Sequence, residues 1–272
     1  SSQFDSDRMD FLVRDSYFTG VEYGRIDINR IVQAMEVVGG SIAVDLKALY
    51  ALEALMIARY EMFLAVYYHH AVRAAEIMLH RAMDSVHDII GLTTFRDIDE
   101  FLLLDDAAIM GGLRGLRPED HRDRRDDVKR AARMVGMLAR RSLLKPVYQM
   151  AVHTSDPFVA KLLAEEEVRR EREEEIARRA GVPPEAVFVD VPTLASVPLY
   201  PREADPREIP VFTVTGGKRR ASRLSDHSML VNVMKGYVDV VRVYTFPELR
   251  SKVEPAALRV FRAQPLAAEI SM

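Results

Sequence analysis

SSQFDSDRMDFLVRD, residues 1–15, carries most of the information about this chain. If this run is helical, Asp7, Phe11, Arg14 and Asp15 fall at i, i+4, i+7 and i+8, on one face. A carboxylate there can bind a divalent cation. A cation beside an aromatic ring suits a phosphorylated ligand that contains a ring. The alternative is a solvated helix whose charges pair with each other, as most charge runs do.

Two further segments of the chain add to this pattern. Residues 59–70 read RYEMFLAVYYHH, and residues 140–145 read RRSLLK. Together with the opening run, they resemble three segments of HD-domain phosphohydrolases, which read roughly D-x-D-[RK]-x-D-Y-x-x-R-D, RYxMFxxVYxHH and R-x-L-x-K. The branch they are most similar to is that of the deoxynucleoside triphosphate (dNTP) triphosphohydrolases, which includes the dGTPases. The resemblance covers about residues 1–150.

The resemblance implies roles for residues of the opening run. Asp7 matches the last ligand of the family's divalent metal, which the sequence does not identify among Mg, Mn, Fe and Zn. Arg8 matches a basic residue that contacts substrate phosphate. Phe11 replaces a family tyrosine, so a ring can still pack on the sugar although the hydroxyl is missing. Asp15 matches the residue that accepts a hydrogen bond from the sugar 3′-hydroxyl.

The two later segments imply further contacts. His70 matches a histidine near the triphosphate, although a histidine on an apolar stripe is also consistent with a structural core residue. Arg141 and Lys145 match positions that bind an activating nucleotide between subunits, and ion pairs at the edge of the core are the alternative for both.

Most of the family's metal ligands have no counterpart in this sequence. HD enzymes bind their metal through a His, a His-Asp pair and a distant Asp, and only the distant Asp is matched, by Asp7. We therefore expect the chain to be the C-terminal part of a longer protein, with the missing N-terminal segment as its partner. No catalytic residue is assigned within the chain, and we expect it to be inactive alone.

Composition limits the other function classes. The chain has 272 residues, of which 49% are hydrophobic and 29% charged, as in ordinary globular proteins. The formal net charge of −3 argues against a strong nucleic-acid footprint, and Cys 0 excludes disulfides and Cys-ligated metals. No run approaches the roughly 18 apolar residues of a membrane helix. With no signal peptide, a cytoplasmic protein is expected, and the resemblance implies a homo-oligomer.

Periodicity predicts a mainly α fold of two parts. Residues 1–150 are predicted to form the C-terminal portion of an HD-type helical domain, with a short helix from Asp27 or Asn29 to about Val38, a long bent helical stretch over 44–90, and a helix over 133–145. Residues 151–272 are predicted to form a smaller α+β accessory subdomain. It has a helix from Asp156-Pro157 to Gly181 and strands over 187–191, 211–214 and 238–244.

These observations predict part of a metal-dependent phosphohydrolase that converts dNTPs, dGTP among them, to deoxynucleoside and triphosphate. One alternative is a nucleotide-binding or assembly module without catalysis. The other is an HD phosphomonoesterase or phosphodiesterase.

Overall fold

The computed structural model describes residues 5–153, 165–192, 209–233 and 238–261. Within these ranges the chain is mainly helical and carries two small sheets. The helices are α1 (Ser6–Thr19), α2 (Ile28–Gln33), α3 (Leu49–Met62), α4 (His70–Val86), α5 (Ile98–Leu102), α6 (Asp106–Gly115), α7 (Arg125–Ala139), α8 (Glu166–Ala180), α9 (Met229–Val233) and α10 (Arg250–Val260). The strands are β1 (Met35–Val38), β2 (Ser41–Asp45), β3 (Lys145–His153), β4 (Val187–Asp190), β5 (Pro210–Thr215), β6 (Lys218–Arg223) and β7 (Val238–Thr245).

The chain divides into two compact units, and each unit combines early and late parts of the sequence. The first unit is built mainly from residues 5–69 and 209–233, and the second mainly from residues 70–151, 165–191 and 240–261. These units do not coincide with the expected division at residue 150. None of the helices in the described ranges is both long and apolar enough to cross a membrane.

The first unit packs α1, α2 and α3 with a four-stranded sheet of order β1-β2-β5-β6. α1 begins where the Asp5 side chain accepts a hydrogen bond from the Arg8 amide at 3.1 Å. β2 and β5 run parallel, with Val44 opposite Val211. β5 and β6 form a hairpin whose two turn residues, Gly216 and Gly217, have φ of 58° and 77°. Positive φ at both positions favours glycine, and it makes the turn match the twist of the strands.

The core of the first unit lies between α1, α3 and the sheet. Its fully buried side chains include Leu12, Ile31, Leu52, Leu55 and Val211. Since Leu12 lies on the buried side of α1, burial fixes the rotation of this helix and therefore which of its residues face outward.

The second unit packs α4, α6, α7 and part of a three-stranded sheet of order β3-β7-β4 around a separate core. β4 and β7 are antiparallel, with Asp190 opposite Arg242. The core contains Met78, Leu113, Val128, Phe188 and Tyr244. α4 and α7 are strongly amphipathic, and their buried positions recur at three- and four-residue steps.

Several predictions about the elements are confirmed. The long stretch over 44–90 forms two helices, α3 and α4, which are separated near Tyr68 and His69. The three predicted strands appear as β4, β5 and β7. The described part of the charged helix, α8, ends at Ala180 with Gly181 as its C-cap, close to the expected end. Its predicted start at Asp156-Pro157 lies outside the described residues.

Two predicted helix ends are wrong. The helix expected to reach Val38 ends at Gln33, and Met35–Val38 instead pairs with Ser41–Asp45 across a turn at Gly39-Gly40. The helix expected to reach Lys145 ends at Ala139, and Lys145 begins β3. In the first case the β-branched residues Val37 and Val38 pair with β2, and this pairing overrides local helix propensity. In the second case the helix ends before Arg141, whose positive φ of 54° is incompatible with a continuing α-helix.

Candidate functional site

The candidate site lies in the first unit, where α1 contacts the end of α3. The Tyr67 hydroxyl donates a hydrogen bond of 2.7 Å to Oδ2 of Asp15. The ring of Phe11, one turn before Asp15, meets the Tyr67 ring edge-on with centroids 6.0 Å apart. The opening run and the RYEMFLAVYYHH segment are therefore in direct contact, although 52 residues separate Asp15 from Tyr67.

A cluster of aromatic side chains surrounds this contact. α3 continues into a π-helical turn, Phe63–Tyr67. The Phe63 ring packs edge-on against Tyr67 at 4.8 Å and against Tyr68 at 5.5 Å between centroids. The guanidinium of Arg59, which is only 5% exposed, lies 6.0 Å from the Phe63 centroid. A π-helical turn is often found at functional sites, because its wider turn changes the direction in which side chains point.

The electrostatic environment of Tyr67 and Asp15 decides that the shared proton stays on the Tyr67 hydroxyl. Burial, followed by the hydrogen bond to Asp15, raises the pKa of Tyr67 well above its usual value. The Tyr67 hydroxyl therefore stays protonated at neutral pH and remains the donor. Oδ1 of Asp15 lies 4.0 Å from Nε of Arg14. The carboxylate of Asp15 is thus held in a fixed orientation, because its Oδ2 accepts the hydrogen bond from the Tyr67 hydroxyl.

Asp7 and Arg8 lie in the first turn of α1. Asp7 is exposed, and Arg8 has a side chain that is 19% exposed, with Nη1 3.7 Å from Oδ2 of Asp5. Among the residues that the structure describes, no group of three or more His, Cys, Asp or Glu side chains lies together in a way that would hold a metal ion. The described residues therefore do not form a complete metal centre, and the assignment of Asp7 as a ligand stays a prediction.

The remaining predicted site residues belong to the second unit. His70 is exposed and is the first residue of α4, and its carbonyl accepts a hydrogen bond of 3.1 Å from the Tyr244 hydroxyl. Arg141 is exposed in the turn after α7 and has a φ of 54°, unusual for a residue other than glycine. Lys145 is exposed at the start of β3. The structure therefore groups Arg8, Phe11 and Asp15 in one unit and these three residues in the other.

Tyr67 is not among the residues that the sequence predicts for the site. The apolar periodicity of the stretch 44–90 is consistent with a core position for Phe63 and Tyr67, and it gives no sign of a π-helical turn. The signal in the sequence that points to Tyr67 is the tyrosine of the RYxMFxxVYxHH segment. A separate cleft of about 580 Å³, lined by Tyr17, Val21, Arg25 and Asp27 among others, lies beside the end of α1 and contains none of the predicted site residues.

The chain is similar in sequence to part of several uncharacterized proteins. The uncharacterized protein YwfO of Bacillus subtilis is 42% identical over 92 residues, which cover 32% of this chain and 21% of that protein. An uncharacterized Methanocaldococcus jannaschii protein is 38% identical over 118 residues, covering 42% of this chain and 25% of that one. The chain therefore matches only about a fifth to a quarter of the length of these curated relatives.

Two solved structures are similar over most of the chain. A hypothetical protein from Aquifex aeolicus has a TM-score of 0.64 and 25% identity, with 93% of this chain and 57% of that one covered. A Bacteroides thetaiotaomicron protein named a phosphohydrolase has a TM-score of 0.61 and 20% identity, with 90% and 62% covered, and shows a shared fold. The family model described as HD associated region matches residues 26–269. Because that match spans far more than half of its length, the chain belongs to the HD associated region family.

Proposed function

We propose that this chain is part of a metal-dependent phosphohydrolase of the HD superfamily that hydrolyses dNTPs, including dGTP, to deoxynucleoside and triphosphate. The observation that carries the proposal is the hydrogen bond between Tyr67 and Asp15, with the Phe11 ring beside it. It joins two segments that resemble the substrate site of the dNTP triphosphohydrolases. Family membership and the fold shared with a protein named a phosphohydrolase support hydrolysis in general.

Asp15 is suited to recognise a sugar hydroxyl. Tyr67 occupies Oδ2, so Oδ1 can accept a hydrogen bond from the 3′-hydroxyl of a deoxynucleotide. A site built to pair such a hydroxyl rejects ligands that lack it, because its own polar group is then left unpaired. Phe11 and Tyr67 provide ring faces and edges for the sugar. Arg8, in the turn before Phe11, supplies a cation for phosphate oxygens.

The metal of this proposal would supply an activated water when bound. Since the described residues do not form a complete metal centre, we propose that Asp7 contributes one ligand and that a segment of the same protein outside this chain contributes the others. In the overall reaction a water oxygen bonds to the α-phosphorus, the bond from that phosphorus to the 5′-oxygen breaks, and a proton goes to the 5′-oxygen.

The test uses the longer protein and measures triphosphate release from dGTP with added Mn²⁺ or Mg²⁺. In that protein Asp15→Asn should raise the KM for dGTP by about 10-fold or more, yet leave hydrolysis of bis-p-nitrophenyl phosphate nearly unchanged. Asp10→Asn is the matched control, because Asp10 is exposed and forms an ion pair with Arg14 at 3.1 Å on the surface of α1. Equal losses on both substrates would instead favour a phosphomonoesterase or phosphodiesterase.

A second candidate is a nucleotide-binding or assembly module without catalysis. It is favoured by the lack of a complete metal-binding cluster among the described residues. This chain alone should be inactive under either proposal, so turnover of dGTP by residues 1–272 would contradict both. Tight dGTP binding by a longer protein that releases no triphosphate with any metal would select the binding module.

A further inference from the structure

The first turn of α4 is attached to the sheet of the second unit through its backbone. His70 begins α4, directly after the two non-helical residues that follow the π-helical turn. The Tyr244 hydroxyl, on β7, donates a hydrogen bond of 3.1 Å to the His70 carbonyl. That carbonyl also accepts the amide four residues later in the helix, since a carbonyl oxygen has two lone pairs. The Tyr244 bond is therefore not required to satisfy the backbone, and its effect is to fix the position of the turn.

A side chain in the same turn provides a second attachment. Nε and Nη2 of Arg73 donate to the two carboxylate oxygens of Asp190 on β4, at 3.1 and 2.7 Å. The Asp190 side chain is only 5% exposed, so this bidentate pair is largely shielded from water. β4 and β7 are adjacent strands, and Asp190 lies opposite Arg242 in their register. Two neighbouring strands therefore hold one helical turn, the first through its backbone and the second through a side chain.

The two attachments belong to a buried polar network. Tyr244 is fully buried, and burial raises its pKa well above the usual value, so its hydroxyl stays protonated and remains a donor. Arg242 is 6% exposed, interacts with this hydroxyl, and donates from Nε to the Gln149 side chain on β3 at 2.9 Å. Side chains from all three strands of the sheet thus support the group that contacts His70. Moving that group requires several buried hydrogen bonds to break together.

We propose that Tyr244 and Asp190 are positioning residues for His70, because they hold the first turn of α4 in place. The inference rests on the proposed function, in which His70 is taken as the histidine near the triphosphate that the family resemblance implies. The direction of a side chain on the first residue of a helix follows from the backbone of that turn. A turn held at two points therefore presents the imidazole to the phosphates in one orientation before substrate binds.

Hydrogen exchange of the full chain tests whether Tyr244 holds the turn. Tyr244→Phe removes the hydroxyl and keeps the buried ring. We expect the amides of residues 74–77, which bond to the carbonyls of the first turn, to exchange about fivefold faster or more, because local opening then breaks one hydrogen bond fewer. Tyr148→Phe is the matched control and should leave these amides unchanged, because Tyr148 is a buried tyrosine of the same unit whose hydroxyl bonds to Sδ of Met150 at 3.3 Å.

Kinetics of the longer protein tests whether the effect passes through His70. Tyr244→Phe should raise the KM for dGTP by about 3- to 10-fold, with a smaller effect on kcat. His70→Ala removes the imidazole but keeps the carbonyl that Tyr244 contacts, so the turn stays attached. In the His70→Ala background, Tyr244→Phe should therefore change KM by less than about twofold, because the side chain that it positions is gone. Tyr148→Phe should leave KM within about twofold of its starting value in both backgrounds.

Asp190 is tested from the helix side. Arg73→Lys keeps a cation beside Asp190 but loses the bidentate geometry of the guanidinium. It should speed exchange of the same four amides, and its effect on KM should also disappear in the His70→Ala background.

Three results would overturn the proposal. The first is a folded Tyr244→Phe variant whose amides 74–77 exchange as slowly as those of Tyr148→Phe. The second is an effect of Tyr244→Phe on KM that is equal with and without the His70 imidazole, since the hydroxyl then acts only through overall stability. The third is a longer protein that releases no triphosphate from dGTP, which also contradicts the proposed function. The first two results leave wild-type turnover intact, so the two failures are distinguishable.

Discussion

At the scale of single residues, Tyr67 holds Asp15 in place. Tyr67→Phe removes the hydroxyl that donates to Asp15 but keeps the ring contacts with Phe11 and Phe63. We expect the free energy of unfolding to fall by about 1 kcal/mol, the usual net value of one such hydrogen bond. In the longer protein, the KM for dGTP should rise more than kcat falls, because Asp15 is no longer oriented before the sugar binds.

Urea denaturation measures the stability change, and steady-state kinetics separates KM from kcat. Tyr17→Phe is the matched control, since the Tyr17 side chain is 80% exposed and its ring meets the Phe18 ring edge-on. If Tyr67→Phe and Tyr17→Phe have equal effects on both quantities, Tyr67 is not a positioning residue.

At the scale of elements, α1 is tied to the loop that follows it. The Ser16 hydroxyl donates to the Val21 carbonyl at 2.5 Å and accepts from the Gly24 amide at 3.2 Å. A Cβ on Gly24 would lie 2.2 Å from the Leu12 carbonyl oxygen and 2.4 Å from Cβ of Ser16. Backbone must therefore move to accept any side chain at this position.

We predict that Gly24→Ala lowers the free energy of unfolding by about 1–3 kcal/mol or more, the cost of forcing an extra carbon into a packed contact. Gly111→Ala in α6 is the control. A Cβ there meets nothing within 4 Å, so the chain should gain about 0.5–1 kcal/mol from the better helix former. Chemical denaturation measures the free energy of unfolding of both variants. If Gly24→Ala left this free energy unchanged, the loop would not be packed on α1.

A buried ion pair connects α4 and α8 in the second unit. Nη2 of Arg81 donates to both carboxylate oxygens of Glu173, at 2.7 and 2.9 Å, and the Val189 amide donates to Oε1 at 2.9 Å. Burial raises the pKa of the Glu173 carboxyl, and these two donors only partly offset it. The native state therefore keeps a proton on Glu173 at a pH where the unfolded chain has released it.

It follows that the contribution of Glu173 to stability falls as pH rises through the window above its unfolded value of 4.5. Glu173→Gln cannot titrate. We predict that the stability of the wild type relative to Glu173→Gln decreases as pH rises above about 4.5, as measured by urea denaturation at each pH. A difference that grows with pH would mean that Arg81 outweighs burial at this site.

At the scale of the whole molecule, the two units are interleaved along the chain. β2 of the first unit pairs with β5, whose residues lie more than 150 positions later, and Phe212 on β5 is fully buried. We therefore predict that residues 1–150 alone do not fold cooperatively, although the sequence pattern suggests a domain there. The isolated fragment should lack a sigmoidal urea transition by circular dichroism, while the full chain shows one. A cooperative transition in the fragment would show that β1, β2 and the helices suffice.

Much of the fold follows from local patterns. The Asp5 cap, the periodicity of α3 and α4, and the β-branched runs of β4, β5 and β7 are each encoded within about 20 residues. The β1–β2 hairpin and the start of β3 could not be found in this way. Their segments are compatible with helix, and pairing with other strands decides the outcome.

The sequence by itself determined that this is a mainly helical chain with β segments towards its C-terminus, and its motifs indicated Asp7, Arg8, Phe11 and Asp15 as candidate site residues. Only the tertiary structure decided that Asp15 is bound by Tyr67, that β2 is completed by β5, and that Tyr244 contacts the first turn of α4. The physical reason is the distance along the chain over which each interaction acts. Caps and periodicity act between residues a few positions apart, whereas burial and strand pairing depend on which distant segments come to lie together.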